Sequence, residues 1–186
     1  MIEVEIRARI KNPKKIKENL QKIGASFVKS KKQIDKIFGH PMFLDSRKMI
    51  IEGGLSARIR GENNKQTLEF KEISRKEGGI EIRAELDNIE EGLKFLEKLQ
   101  FEEAFTVAKL RESYSYQDFN ICLDKVEQLG DFIEIEKMLS IDDEDMKDKA
   151  RKDCLDLLDT LVPESKVEDK KYGDLMQELI DQRKNT

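Results

Sequence analysis

Ile2-Glu3-Val4-Glu5-Ile6-Arg7-Ala8-Arg9-Ile10-Lys11 is a run of ten residues in which apolar and charged side chains alternate without a break. Successive side chains on a strand point to opposite faces. Ile2, Val4, Ile6, Ala8 and Ile10 therefore share one face, and Glu3, Glu5, Arg7, Arg9 and Lys11 share the other. The stretch predicts a β-strand with an apolar side and a wholly charged side. Asn12-Pro13 follows as an N-cap and a proline at the first helical position. Ile16, Leu20 and Ile23 then mark a helix stripe, and Gly24 marks its stop.

Working outward, residues 27–38 read as extended. Residues 39–54 read as a loop between Gly39-His40-Pro41 and Gly53-Gly54, and strands follow near 55–60 and 66–73 around Gly61-Glu62-Asn63-Asn64. The second half repeats the order. Gly78-Gly79 precede a strand over 80–86 with Ile80, Ile82, Ala84 and Leu86 on one face. Asn88 with Glu91 starts a helix carrying Leu93, Leu96 and Leu99, and strands follow near 105–117, 120–127 and 131–137. The chain thus reads as two βαβ-plus-hairpin halves, an approximate internal duplication. Beyond 140 it turns helical. Asp142, Asp143, Glu144 and Asp145 suit the positive end of a helix dipole, and their spacing does not fit a calcium loop. Pro163 breaks that helix and a last one runs over about 169–183. Residues 1–162 are expected to form one domain, with 163–186 as its C-terminal helical extension.

A chain of 186 residues is long enough for a single real core. Charged residues make up 40%, yet the net charge is only −4, which argues against a nucleic-acid binder, as do the 12 aromatics without a Trp. Cys122 and Cys154 carry no CxxC spacing, so neither a disulfide nor a zinc site is expected. The charged N-terminus predicts no signal peptide and no apolar run reaches membrane-spanning length, so the expected location is the cytoplasm.

The polar faces of half-buried strands ordinarily meet water. Here, however, the charges are sorted by strand: Glu3 with Glu5, Glu134 with Glu136, Arg58 with Arg60, Lys109 with Arg111, and Lys71 between. Like charges side by side repel unless something fills the space between them. Paired carboxylates are hard ligands for Mg²⁺ or Mn²⁺, and paired cations match a polyphosphate. A closed barrel of about eight strands leaves a lumen for one small ligand.

Several motifs then resemble one family in order along nearly the whole chain. Glu3-Val4-Glu5-Ile6-Arg7 resembles ExExK, Gln33-Ile34-Asp35 with Phe38-Gly39-His40-Pro41 resembles Q-x-D-x-Y-F-x-x-P, and Ser56-Ala57-Arg58-Ile59-Arg60 resembles A-L-R-I-R. Leu68-Glu69-Phe70-Lys71 resembles L-T-Y-K, and Val107-Ala108-Lys109-Leu110-Arg111-Glu112-Ser113-Tyr114 resembles V-x-K-x-R-E-x-Y. Residues 123–136 are similar to L-D-x-V-x-x-L-G-x-F-x-E-I-E, and Tyr172-Gly173-Asp174-Leu175-Met176 to S-Y-x-x-L-L. This is the pattern of CYTH domains, the group joining class IV adenylyl cyclases and thiamine triphosphatases.

The resemblance implies an α+β fold: a closed antiparallel eight-stranded β-barrel, a triphosphate tunnel, with flanking helices that either pack outside it or mediate a homodimer. It implies Glu3, Glu5, Glu134 and Glu136 as ligands of Mg²⁺ or Mn²⁺. Arg58, Arg60, Lys71, Lys109 and Arg111 would hold phosphates, and Glu5, Arg7 and Asp124 are the catalytic candidates. Asp35, Glu81 and Glu85 are secondary candidates, Asp35 being equally readable as the partner of a neighbouring lysine. His40 reads as an inert loop residue. The implied reaction converts ATP to cyclic AMP and pyrophosphate. Hydrolysis of an organic or inorganic triphosphate, or triphosphate binding without turnover, are the alternatives. Two positions depart from the family. Arg7 replaces a lysine, and a guanidinium does not give up its proton, so if that lysine is the family's general base, this chain needs another base or is slow. Arg83 falls among the glutamates of its strand.

Overall fold

The computed structural model describes residues 2–46, 50–63, 65–73, 81–141, 143–163 and 165–184. Gly78, Gly79, Ile80, Asn64 and Asp142, invoked above, lie outside the described residues, as does the side chain of Glu81. The elements are β1 (Ile2–Ile10), α1 (Pro13–Lys22), β2 (Ser26–Gly39), β3 (Leu55–Glu62), β4 (Lys65–Glu72), β5 (Glu81–Leu86), α2 (Ile89–Lys98), β6 (Glu102–Tyr116), β7 (Phe119–Val126), β8 (Gly130–Leu139), α3 (Glu144–Leu161) and α4 (Tyr172–Lys184). A 3₁₀ turn at Pro41–Phe43 opens the loop after β2. The fold is α+β, with the strands forming an eight-stranded antiparallel sheet in the order β1-β8-β7-β6-β2-β3-β4-β5.

That order is unchanged, read backwards, when each strand of the first half is exchanged with its counterpart four strands later. The duplication read from the sequence is therefore present in the topology, and its two helices keep a common offset. Asn12 and Asn88 cap α1 and α2 through the backbone N–H groups of Lys15 and Glu90. Leu20 and Leu96, each fully buried on its helix, lie the same 76 residues apart.

The chain divides into two compact units, residues 1–31 with 109–169 and residues 32–108 with 170–186. In the first, β1 and α1 join the β6-β7-β8 meander, and Ile6, Ile121, Ile133 and Ile135 pack with Leu20 and with Cys154, Leu158 and Leu161 of α3. α1 ends cleanly because Gly24 adopts φ +81°, which an L side chain resists. β1 pairs with β8 along one edge, while Ala8 bridges Val167 and Arg7 O accepts from Glu168 N on the other. In the second unit, α2 lies on Phe38, Ala57 and Ile59, with Gly92 so close to Leu86 that a Cβ there would come within 2.8 Å of it. The apolar face expected of residues 80–86 is only partly covered: Ile82 is 64% exposed.

In both units the helices cover the apolar face of the strands, as the alternation in β1 requires. Leu20→Ala will cost about 2–5 kcal/mol, the range for a fully buried leucine, measured by urea unfolding. A loss below 1 kcal/mol would contradict its place in the core.

Candidate active site

On the other face of the first unit, cross-strand register turns the sorted charges into interlocking rows. Arg7 faces Glu134, Glu5 faces Glu136, and Arg111 faces Asp124. Arg7 Nε donates to Glu134 Oε1 at 2.6 Å, and Arg111 donates to both oxygens of Asp124 at 2.7 and 2.6 Å. Arg111 also bonds Glu134, and Lys109 Nζ reaches Asp124 Oδ2 at 3.1 Å. Arg7, Lys109, Asp124 and Glu134 are all buried, on the face that α1 and α3 do not cover.

Lys109 and Arg111 are tolerated side by side because Asp124 on the adjacent strand supplies the opposite sign, as Arg7 does for Glu134, whereas Glu5 meets like charge in Glu136. Against burial, the hydrogen bonds from Arg111 and the charge of Lys109 hold Asp124 below the usual carboxylate range. Burial works the other way on Lys109 and, together with Arg111, lowers its proton affinity despite Asp124. The Cys122 thiol, pushed up to about 11 by burial, stays protonated, and it and Cys154 are both free.

Three of the four proposed metal carboxylates come together. One oxygen from each of Glu3, Glu5 and Glu136 lies within 4.8 Å of the others. Glu134 is instead tied to Arg7 and Arg111. Burial raises Glu5, with Glu134 and Glu3 adding to the effect against Arg7. It also pushes Glu136 up to about 7, where Glu3 and Glu134 add like charge and a hydrogen bond from Asn120 opposes them. Asn120 Nδ2 donates to Glu136 Oε2 at 2.6 Å and was not singled out from the sequence. Its place opposite Glu136 follows only once the tight β7–β8 pairing is known. A set of hard oxygens whose mutual repulsion hinders ionisation fits a divalent cation of the Mg²⁺ or Mn²⁺ kind.

The second unit carries its own charged face. Asp35, which the sequence allowed as a lysine's partner, pairs with Arg60 in a bidentate bridge at 2.7 Å for both bonds, and with Arg58 at 3.7 Å. The adjacent Lys36 cannot serve, because it points to the opposite face and meets Glu103 at 3.2 Å. Glu69, missed in the sequence reading, is 2% exposed and binds Arg58, Arg83 (2.8 Å) and Thr67 (3.2 Å). Alternation could have found it, since Glu69 shares a face with Lys71. Lys71 stands opposite Ser56, and the exposed Glu85 opposite Thr67. His40 holds the loop: its Nδ1 accepts from Met42 N at 3.2 Å and its ring packs edge-on to Phe101.

The duplication explains both departures. Arg7 and Arg83 lie 76 residues apart on equivalent strands, and each binds the buried glutamate opposite it, Glu134 and Glu69. Both arginines position a carboxylate. Asp35 and Arg111 keep that offset while their partners Arg60 and Asp124 lie 64 residues apart, and the two are equivalent bidentate pairs with the signs exchanged between strands.

The CYTH domain model matches residues 1–172. The chain belongs to the CYTH domain family. Among CYTH relatives, the "Putative adenylate cyclase" of Methanocaldococcus jannaschii is 34% identical over 166 residues, covering 87% of this chain and 90% of that protein. A Pyrococcus horikoshii protein of known structure is 28% identical with a TM-score of 0.76, covering 95% of this chain and 99% of its own. A Hippeastrum protein, described as a "Putative adenylyl cyclase" with "a dominant triphophatase activity", shares the fold at 16% identity and a TM-score of 0.66 over 95% of this chain and 96% of its own.

Proposed function

We propose that this CYTH chain is a metal-dependent enzyme of triphosphate substrates, acting on ATP to form cyclic AMP and pyrophosphate in a tunnel made by closure of its sheet into a barrel. The observation that carries this reading is the convergence of Glu3, Glu5 and Glu136 within 4.8 Å beside the buried Lys109–Asp124–Arg111 group. A tunnel also accounts for charged side chains being buried on a face that no helix of their unit covers. The kinship to the Methanocaldococcus relative favours the cyclase reaction.

Glu3, Glu5 and Glu136 would hold the divalent ion, which when bound neutralises phosphate oxygens and orients them. Asp124 fixes Arg111, leaving its guanidinium plane in place to take charge from the leaving pyrophosphate. Arg58 and Arg60, set by Glu69 and Asp35, hold phosphates in the same manner. Arg7 supplies no base. Burial and Arg111 lower the proton affinity of Lys109, so we assign the neutral fraction of its amine to receive the proton of the attacking hydroxyl. Lys109→Arg, which keeps the charge and removes that capacity, is expected to lower kcat by about 100-fold with KM little changed; an unaltered kcat would remove Lys109 from that role.

The reaction is identified by incubating the protein with Mg²⁺ or Mn²⁺ and, separately, ATP, thiamine triphosphate and inorganic triphosphate. Cyclic AMP with pyrophosphate is the expected result. Orthophosphate would replace the cyclase reading by hydrolysis, and tight binding without product would make the chain a triphosphate-binding module. Arg58→Ala should raise KM by about tenfold or more, and a KM within twofold would take Arg58 out of substrate binding.

A further inference from the structure

Gln33 lies on β2 one same-face position from Asp35, opposite Glu62. Two residues along a strand span about 7 Å, so Gln33 adjoins the Asp35–Arg60 pair. Its side chain is 2% exposed, and its Nε2 donates to Glu62 Oε2 at 2.9 Å. That bond fixes which way the amide faces, because a carboxylate only accepts. Its other end, Oε1, is buried and meets no donor among the described residues. A buried acceptor left unsatisfied is costly, and in a native protein such an atom calls for a partner or a role.

We propose that Gln33 Oε1 accepts a hydrogen bond from an N–H or O–H group on the organic part of the substrate, and so selects organic triphosphates over inorganic triphosphate. The inference rests on the reading that Arg58 and Arg60 hold phosphates. An ionised phosphate oxygen offers no proton and repels an amide oxygen, so the phosphate chain itself cannot satisfy this atom. The equivalent position 76 residues on is Lys109, whose ammonium presents donors. The two units are therefore chemically opposite at this point: one offers a cation, the other a neutral acceptor. A site built to pair a substrate N–H or O–H strongly rejects a ligand lacking it, because the buried partner is then left unmatched.

Binding is measured by calorimetry for inorganic triphosphate and for ATP, GTP, CTP, UTP and thiamine triphosphate, with wild type, Gln33→Met, Glu62→Gln and Arg60→Ala. Wild type is expected to bind at least one organic triphosphate more tightly than inorganic triphosphate. Gln33→Met should weaken that ligand by about tenfold or more while leaving inorganic triphosphate within twofold. Glu62→Gln, which frees the amide to turn, should show the same selective loss in part and serves should Gln33→Met fail to fold. Equal weakening of all ligands by these variants, or no weakening of any, overturns the inference. So does a wild type that prefers no organic triphosphate. If Arg60→Ala holds inorganic triphosphate as tightly as wild type, the phosphate reading itself fails and the inference with it. A normal Arg60 effect with a non-selective Gln33 effect overturns the inference alone.

Discussion

Asp124→Leu will lower the free energy of unfolding by about 3–5 kcal/mol, the cost of leaving buried charge without its partner. Asp124 has a fully buried side chain and accepts from Lys109 and twice from Arg111. Removing it leaves two cations close together, with Glu134 and, at 3.8 Å, Glu136 as the remaining acids beside Arg111. The measurement is urea unfolding at neutral pH. Glu144→Ala serves as the control: its bridge to Lys147 is a surface i,i+3 pair, and its loss should cost less than about 1 kcal/mol. Similar losses in the two variants would show that the Asp124 group does not hold the first unit together.

Glu136→Gln will weaken Mg²⁺ or Mn²⁺ binding by about 100-fold or more, since a ligand should matter at least as much as the outer-shell partners that cost 10–100-fold. It will also flatten the pH dependence of that binding. The sign follows from the raised pKa. Burial and the nearby acids push Glu136 up to about 7, so below that pH a cation must displace a proton to bind. Wild-type metal affinity should therefore fall by up to about tenfold per pH unit on going below 7 and level off above it. The glutamine has no proton to release, so much of that slope should vanish. Calorimetry in buffers of different ionisation enthalpy reads the proton release directly. A variant that keeps both the affinity and the slope would remove Glu136 from the metal site.

The elements and their faces were legible in the sequence because they depend on local rules. Alternation in residues 2–11 sets the two sides of β1, and Asn12 and Asn88 announce their helices. The roles of the charges were less legible, because they depend on register. Which carboxylate meets which cation is fixed by cross-strand pairing, and that information is spread over segments more than 100 residues apart, as in Arg7 with Glu134. Glu134, which the resemblance groups with the metal ligands, is held by Arg7 and Arg111, a pairing that only the register reveals. Glu69 was passed over because its motif was read for Lys71. Arg7 and Arg83 looked like departures until pairing showed each opposite a buried glutamate.

In the proposed site Glu3, Glu5 and Glu136 hold a divalent cation against a phosphate that Arg111 also grips. A crystal structure with Mn²⁺ and a non-hydrolysable ATP analogue, using the anomalous signal of manganese, tests it most directly. The expected result is manganese bonded to oxygens of Glu3, Glu5 and Glu136 and to a phosphate oxygen, with the Arg111 guanidinium on the same triphosphate. Manganese bound by other acids, or a triphosphate seated away from Arg111, would contradict it.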